Sequence, residues 1–285
     1  HYFDIEAKAR GDASPPDYSY CQAHRPVREQ DKLEGHSVRA LYLCSGMADV
    51  AAETGDAALL AACKRLWRNV TERRMYVTGG VGSAHSGERF TFDHDLPNES
   101  AYAETCANIA LVFFAHRMLQ IECDAQYADV MERALYNGVL SGISLDGKRF
   151  FYVNPLEQHP EAFRFNRWAT QRQEWFGCAC CPPNIARLLA SIGKYAYSQG
   201  PGEVVAHLYA ASRASFDIAG RTVRLEQATD YPWSGNVSIR LDVDGPADFA
   251  LALRLPGWCR RPAVRVNGRA VRLPAVTRRG YARIS

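Results

Sequence analysis

Apolar residues recur at helical spacing over most of the stretch from Gly35 to Ser198. In His36–Glu53 they fall at Val38, Leu41, Tyr42, Met47 and Val50, a rhythm of three and four that lines one helix face, and Gly55 closes the run. Asp56 is positioned to cap a second helix, its carboxylate accepting from the N–H groups that a first turn leaves unpaired. That helix carries Leu59, Leu60, Cys63, Leu66, Trp67 and Val70. Ala101–Leu119 and Tyr127–Ile143 read as another consecutive pair, and Pro183–Tyr197 as a fifth helix introduced by its prolines. Helices this apolar, joined by short turns, bury more than one face, the pattern of a helical bundle or toroid. Two long loops interrupt it, Thr78–Ser100 and Gly147–Gly177. Loops of that length are uncommon in a compact domain unless they serve a function.

At Gln199-Gly200-Pro201-Gly202 the period changes to two. Short segments rich in Val and Leu follow at Glu203–Tyr209, Thr222–Gln227, Asn236–Val243, Phe249–Leu255 and Ala263–Val266, with turn signals such as Val266-Asn267-Gly268 between them. This pattern predicts an antiparallel β-sandwich over residues 201–285, after a helical domain over 1–200. The last residues, Arg283-Ile284-Ser285, read as mid-strand, so the β-domain is expected to be truncated. No internal repeat or low-complexity segment is evident.

Composition adds limits. The 285 residues are 47% hydrophobic and 23% charged, an ordinary globular mixture, and no apolar run approaches the ~20 residues of a membrane span. The chain opens His1-Tyr2-Phe3-Asp4, without an initiator Met or a signal-peptide pattern, and reads as a trimmed piece of something longer. Residues 201–285 hold 13 Lys and Arg against 7 Asp and Glu, but Arg221, Arg224, Arg240, Arg254, Arg265, Arg269 and Arg272 are dispersed along strands. Solvated strand faces explain them better than a nucleic-acid surface. The nine cysteines are odd in number and irregular in spacing, which argues for free thiols in a reducing compartment, hence a cytoplasmic location. Cys44 and Cys63 read as small buried hydrophobes, as do Cys21, Cys123 and Cys259.

Cys178-Ala179-Cys180-Cys181-Pro182-Pro183 is a different matter. Adjacent cysteines before two prolines lie where a helix should start, and the unpaired N–H groups and dipole there stabilise thiolates. With Glu104-Thr105-Cys106 upstream, they offer one carboxylate and several sulfurs, a set that suits Zn²⁺. The plainer alternative is a buried cysteine cluster without metal. Glu104 and Cys106 also raise a geometric objection, because residues two apart on a regular helix point to nearly opposite sides. Glu88 sits in a loop with glycines at 79, 80, 82 and 87, which lets it fold closely around a ligand. It is a candidate general acid, with a solvated loop Glu as the alternative. Asp93, His94, Asp95 and Glu99 offer a second carboxylate in principle. His36, at a helix start, could bond a sugar or phosphate or simply cap. The aromatics around Tyr152 and Trp175 suit stacking on a sugar, though core packing explains aromatics more often.

Taken together, Gly35-His36-Ser37-Val38-Arg39-Ala40-Leu41-Tyr42, Thr78-Gly79-Gly80-Val81-Gly82-Ser83, Glu99-Ser100-Ala101-Tyr102-Ala103-Glu104-Thr105-Cys106 and the Cys178–Asn184 segment resemble glycoside hydrolase family 127, the zinc-dependent β-L-arabinofuranosidases. Leu253-Arg254-Leu255-Pro256-Gly257-Trp258 is similar to that family's β-sandwich. The resemblance implies a mainly α fold, part of an (α/α)6 barrel-type toroid followed by part of a β-sandwich. It implies Cys180 as nucleophile and Glu88 as acid/base. Glu104, Cys106, Cys180 and Cys181 would then hold zinc, and His36 and Tyr152 would contact the sugar. The expected partner is a carbohydrate substrate, an arabinofuranosyl glycan, rather than nucleic acid or membrane, with room for a homodimer. Two other readings stay open: a zinc-free hydrolase using Glu88 with Asp93 or Glu99, and a non-enzymatic carbohydrate-binding scaffold around a structural zinc.

Overall fold

A computed structural model describes residues 17–158 and 170–285. A helical region is followed by a β-sandwich-like one, the order read from the sequence. The longer helices are α1 (Ser37–Thr54), α2 (Ala57–Arg73), α3 (Thr105–Ile121), α4 (Ala125–Ala134) and α5 (Cys181–Ala190). Gly55 ends α1 in the left-handed region at φ +68, its N–H bonded to the Ala51 carbonyl at 3.0 Å. Asp56 caps α2 by accepting from the Leu59 N–H at 2.9 Å. Leu59, Cys63, Leu66, Trp67 and Val70 all face inward. Val50, by contrast, is half exposed, so the buried stripe of α1 is narrower than its apolar pattern.

Three helix boundaries differ from expectation, each for a local reason. The segment Ala101–Glu104 is not helical. Tyr102 N–H bonds to Ser83 O, Ala103 N–H to Gly82 O at 2.8 Å, and the Ala103 carbonyl accepts from Asn154 Nδ2 at 2.9 Å. With its polar groups satisfied by loops, the chain enters α3 only at Thr105. The helix expected to run to Ile143 stops at Ala134 and opens into a π-turn over Leu135–Val139. There Gly138 meets Asn108, whose Nδ2 donates to the Gly138 carbonyl at 2.9 Å, and a Cβ at this position would lie 2.9 Å from the Asn108 side chain. Helix α5 begins at Cys181, with both prolines in its first turn where no N–H is needed, and ends at Ala190 rather than Tyr197. The loop expected over residues 147–177 is described except at 159–169, and the reading of the opening four residues also lies outside the described residues.

The chain divides into two compact units, residues up to 117 with 133–185, and residues 118–132 with 186–285. In the second unit the strands are β1 (Tyr197–Gly200), β2 (Glu203–Ala206), β3 (Ser212–Ile218), β4 (Arg221–Thr229), β5 (Val237–Val243), β6 (Ala250–Arg254), β7 (Arg265–Val266), β8 (Arg269–Ala270), β9 (Thr277–Arg278) and β10 (Tyr281–Ile284). One sheet runs β1-β2-β6-β10-β9 and another β3-β4-β5. Val204, Ile218, Val223, Leu225 and Leu251, drawn from both, form a shared core. The sandwich is not wholly antiparallel, since β2 and β6 pair in parallel. The chain between them makes the three-stranded sheet, long enough for the crossover that a parallel pair requires. Strands β1, β3, β8 and β9 are absent from the pattern reading. In β3 only Phe216 and Ile218 are large apolar residues, so Ser212 and Ala214 mask its alternation.

Arg254 is a second correction. It is 0% exposed, not a solvated strand residue, and bonds Asp129 at 2.6 Å, Glu132 and the His207 carbonyl at 2.6 Å. Within this unit it ties β6 to α4, and removing one partner of such a buried cluster costs about 3–5 kcal/mol. All nine cysteines are free. Cys44 and Cys63 are buried as expected, whereas Cys21, Cys123 and Cys259 are only partly so. Among the described residues no helix is long and apolar enough to cross a membrane.

Candidate functional site

The entry into α3 resolves the objection to Glu104 and Cys106. Ala103 is in the left-handed region at φ +40, and Glu104 precedes the first helical residue. Regular helical spacing therefore does not apply, and the two side chains converge on one point. The turn is held from several sides. Thr105 N–H bonds to the Tyr152 carbonyl and Thr105 Oγ1 to the Phe151 carbonyl, both at 2.9 Å, while Asn154 Nδ2 reaches Thr105 Oγ1 at 3.0 Å. Buried Asn108 donates from Nδ2 toward the Ala103 carbonyl and accepts the Val81 N–H at 3.2 Å.

Opposite this turn, Cys180, just before α5, and Cys181, its first residue, supply two more sulfurs. Cys106 Sγ lies 3.5 Å from Cys181 Sγ, and Cys180 Sγ 3.6 Å from Cys181 Sγ. Glu104 Oε1 is 3.7 Å from Cys180 Sγ and 3.8 Å from Cys181 Sγ. Glu104, Cys106 and Cys181 are 2%, 3% and 0% exposed, and Cys180 is half-buried. The S–H groups of Cys106 and Cys181 donate toward Cys180 and hold its pKa well below the usual thiol range. Burial pushes Cys181 far up. Burial, with the charges of Glu88 and Cys180, pushes the Glu104 carboxyl up to about 9. Glu104 Oε2 is buried without a hydrogen-bond partner. Four acidic groups converging within 4.8 Å, one oxygen unsatisfied, form a donor set that fits a bound cation, because only positive charge lets them ionise together in a buried place.

Glu88 stands beside this set. It ends a short 3₁₀ turn, Ser86–Glu88, in the left-handed region at φ +49, and its carbonyl accepts from Ser37 Oγ at 2.9 Å. Gly82 packs against the same serine, where a Cβ would come within 2.8 Å of the Ser37 hydroxyl. The glycine-rich loop thus folds onto the start of α1, which presents His36. His36 Nε2 is 2.9 Å from Glu88 Oε2, and the Tyr102 hydroxyl donates to Oε1 at 2.8 Å. The bond from His36 is the main reason the Glu88 pKa is lowered; burial opposes it and Tyr102 assists. The Tyr152 hydroxyl lies 3.0 Å from Cys180 Sγ and 3.4 Å from Glu88 Oε1, bridging the two groups.

All seven candidate residues, His36, Glu88, Glu104, Cys106, Tyr152, Cys180 and Cys181, therefore meet in one place. Asp93 and Asp95 serve the scaffold. Asp93 pairs with Arg73 at 2.9 Å and Arg74 at 2.7 Å, and Asp95 accepts from Thr91 Oγ1 at 2.5 Å. The carboxylate next to Glu88 is Glu104, with His36 completing a group within 4.8 Å. The ring of Tyr152 is buried against Phe176 at 5.4 Å, so it offers a hydroxyl rather than a stacking face, whereas Trp175 is 61% exposed. Sequence reasoning missed Tyr102, Asn108 and Asn154. Asn108 carried a usable signal, a lone polar residue among Ala107, Ile109, Ala110 and Leu111. Tyr102 carried none.

Known proteins similar to this chain belong to one family. Residues 3–194 match the model of the β-L-arabinofuranosidase GH127 catalytic domain, and residues 203–285 that of the GH127 middle domain. A curated relative from Bifidobacterium longum subsp. longum, described as a non-reducing end β-L-arabinofuranosidase, is 45% identical over 260 residues, covering 88% of this chain and 39% of its own length. The crystal structure of a GH127 β-L-arabinofuranosidase from Geobacillus stearothermophilus T6 superposes with a TM-score of 0.95 at 54% identity, over 100% of this chain and 46% of that one. A second GH127 β-arabinofuranosidase structure gives a TM-score of 0.86 at 40% identity, over 99% of this chain and 46% of that one. The chain thus spans less than half the length of these relatives.

Proposed function

The chain belongs to the GH127 β-L-arabinofuranosidase family, and on that footing we propose that its protein is a retaining glycoside hydrolase that releases β-L-arabinofuranose from the ends of glycans. One observation carries the reading: a Cys180 sulfur favoured as thiolate and the Glu88 carboxyl flank a single hydroxyl, beside a buried four-donor set. Glu104, Cys106, Cys180 and Cys181 would hold zinc. Four of the six separations between their donor atoms are 3.5–3.8 Å, close to the ~3.8 Å edge of a tetrahedron with ~2.3 Å zinc–sulfur arms. When bound, the ion supplies positive charge that keeps the sulfurs deprotonated at neutral pH.

The residues then divide the work. Cys180 Sγ attacks the anomeric carbon, forming a C–S bond as the C–O bond to the leaving group breaks. The His36–Glu88 pair shares one proton, and Glu88 delivers it to the departing oxygen. In the second step Glu88 takes a proton from water, the water oxygen bonds to the anomeric carbon, and the C–S bond breaks to restore the thiolate. Two inversions retain configuration.

A two-carboxylate mechanism has one observation in its favour, the closeness of Glu88 and Glu104, similar to the ~5–5.5 Å of retaining carboxylate pairs. Glu104 is nonetheless 2% exposed and raised to about 9, a poor nucleophile beside an accessible sulfur. A purely structural metal would close all four positions. The partial exposure of Cys180 and its neighbour Glu88 argue for chemistry instead. The test is acid-quenched mass spectrometry of the full-length protein turning over an activated aryl β-L-arabinofuranoside. A pentosyl adduct on the Cys180 peptide, and no turnover by Cys180→Ser, are expected. Undiminished activity in Cys180→Ser sinks the proposal.

A further inference from the structure

The Tyr152 hydroxyl has one proton and more than one acceptor in reach, among them Cys180 Sγ at 3.0 Å and Glu88 Oε1 at 3.4 Å. Glu88 Oε1 does not depend on it, because Tyr102 already donates there at 2.8 Å. The ring itself cannot shift to choose between them. It is 2% exposed, packed edge-on against Phe176 at 5.4 Å and beside Tyr102 at 6.3 Å, and its backbone carbonyl is held by Thr105 N–H. What remains free is rotation of the O–H bond about the phenol axis, which moves the proton without displacing a heavy atom.

We infer that the Tyr152 hydroxyl is a catalytic donor that turns from Cys180 to Glu88, and back, as one negative charge passes between them. The inference deepens the function proposed above and rests on the roles given there to Cys180 and Glu88. Before attack the charge is on sulfur, and a charged acceptor makes the stronger bond. As the C–S bond forms, sulfur becomes a thioether, a weak acceptor, while the His36–Glu88 pair gives its shared proton to the leaving oxygen and leaves an uncompensated carboxylate on Glu88. The hydroxyl follows, keeping its own proton throughout. Hydrolysis reverses both changes: Glu88 regains a proton from water, the thiolate is restored, and the O–H turns back. The nearby Cys178 sulfur is a third contact, but a neutral thiol competes poorly with either anion.

The experiment is Tyr152→Phe in the full-length enzyme, which keeps the buried ring, assayed on β-L-arabinofuranosides with alkyl, phenyl and dinitrophenyl leaving groups. Charge reaches Glu88 in the first step only when it must protonate the leaving group. Loss of the donor should therefore lower kcat/KM roughly 10- to 100-fold for alkyl glycosides and less than about 3-fold for the dinitrophenyl one. The same loss across all leaving groups, or no loss for any, overturns the inference, since packing or sugar contact alone would act uniformly. The quenched Cys180 adduct in the unmodified enzyme separates the two levels. If it forms and the slowing is uniform, only the Tyr152 role fails; if it never forms, both readings fail.

Discussion

Asn108→Ala tests how far the site depends on a buried residue that touches no substrate. Asn108 is 0% exposed and makes bonds to Val81 N–H, the Gly138 carbonyl and the Ala103 carbonyl. Truncation leaves the Val81 N–H without this acceptor, a cost of about 1–3 kcal/mol, and removes two further bonds worth about 0.5–1.5 kcal/mol each. The sum is about 2–6 kcal/mol, with water entering the vacated space setting the low end. That is a large part of a typical domain's ~5–15 kcal/mol. Ala103 keeps its bond from Asn154 Nδ2, so the turn that positions Glu104 should loosen rather than collapse. Urea denaturation of the full-length protein, paired with a metal titration of the chelator-stripped form, reads both effects. Stability should fall by at least ~2 kcal/mol and metal affinity should weaken with it. A loss below ~1 kcal/mol with unchanged affinity would falsify the claim that Asn108 holds this turn.

Glu88→Gln should lower kcat/KM on alkyl arabinofuranosides by about 10²–10⁴, and should let the Cys180 adduct accumulate with activated substrates because deglycosylation loses its base; near-normal steady-state rates on both substrate types would argue against it. Dialysis against a chelator should remove metal and activity together, with elemental analysis giving about one ion per chain beforehand and much less in Glu104→Gln; full activity in metal-free protein would contradict the donor-set reading. Asp93 is held low, against its burial, by bonds from Arg73, Arg74 and Asn69. Its stabilisation is complete above the ordinary Asp value of ~3.9 and is lost as pH falls through the lower folded-state value. The stability gap between the unmodified protein and Asp93→Asn should therefore narrow from about pH 5 to pH 2 in urea melts, and a gap independent of pH would show that the pairs contribute nothing.

Helical rhythm, the Asp56 cap, the Gly55 stop and the change of period at residue 200 are local properties, set by side chains within a turn or two of each other, so the order of helical and β regions was legible in the chain. The same holds for the chemistry of the donors: carboxylate and thiol types were visible in Glu104-Thr105-Cys106 and Cys178–Cys181. Tertiary structure decided what those segments do. Glu104 and Cys106 converge because loop carbonyls and amides from residues 82, 83, 152 and 154 satisfy the backbone before α3 and delay its start. The π-turn at Leu135–Val139, the parallel β2–β6 pair and the burial of Arg254 likewise depend on partners far away in the chain. Tyr102 is the clearest case, an aromatic with no local mark that becomes a donor to Glu88 only when two distant loops meet. Short-range propensity is written in neighbouring residues, whereas the electrostatics of a buried site arise from groups whose separation only the folded chain defines.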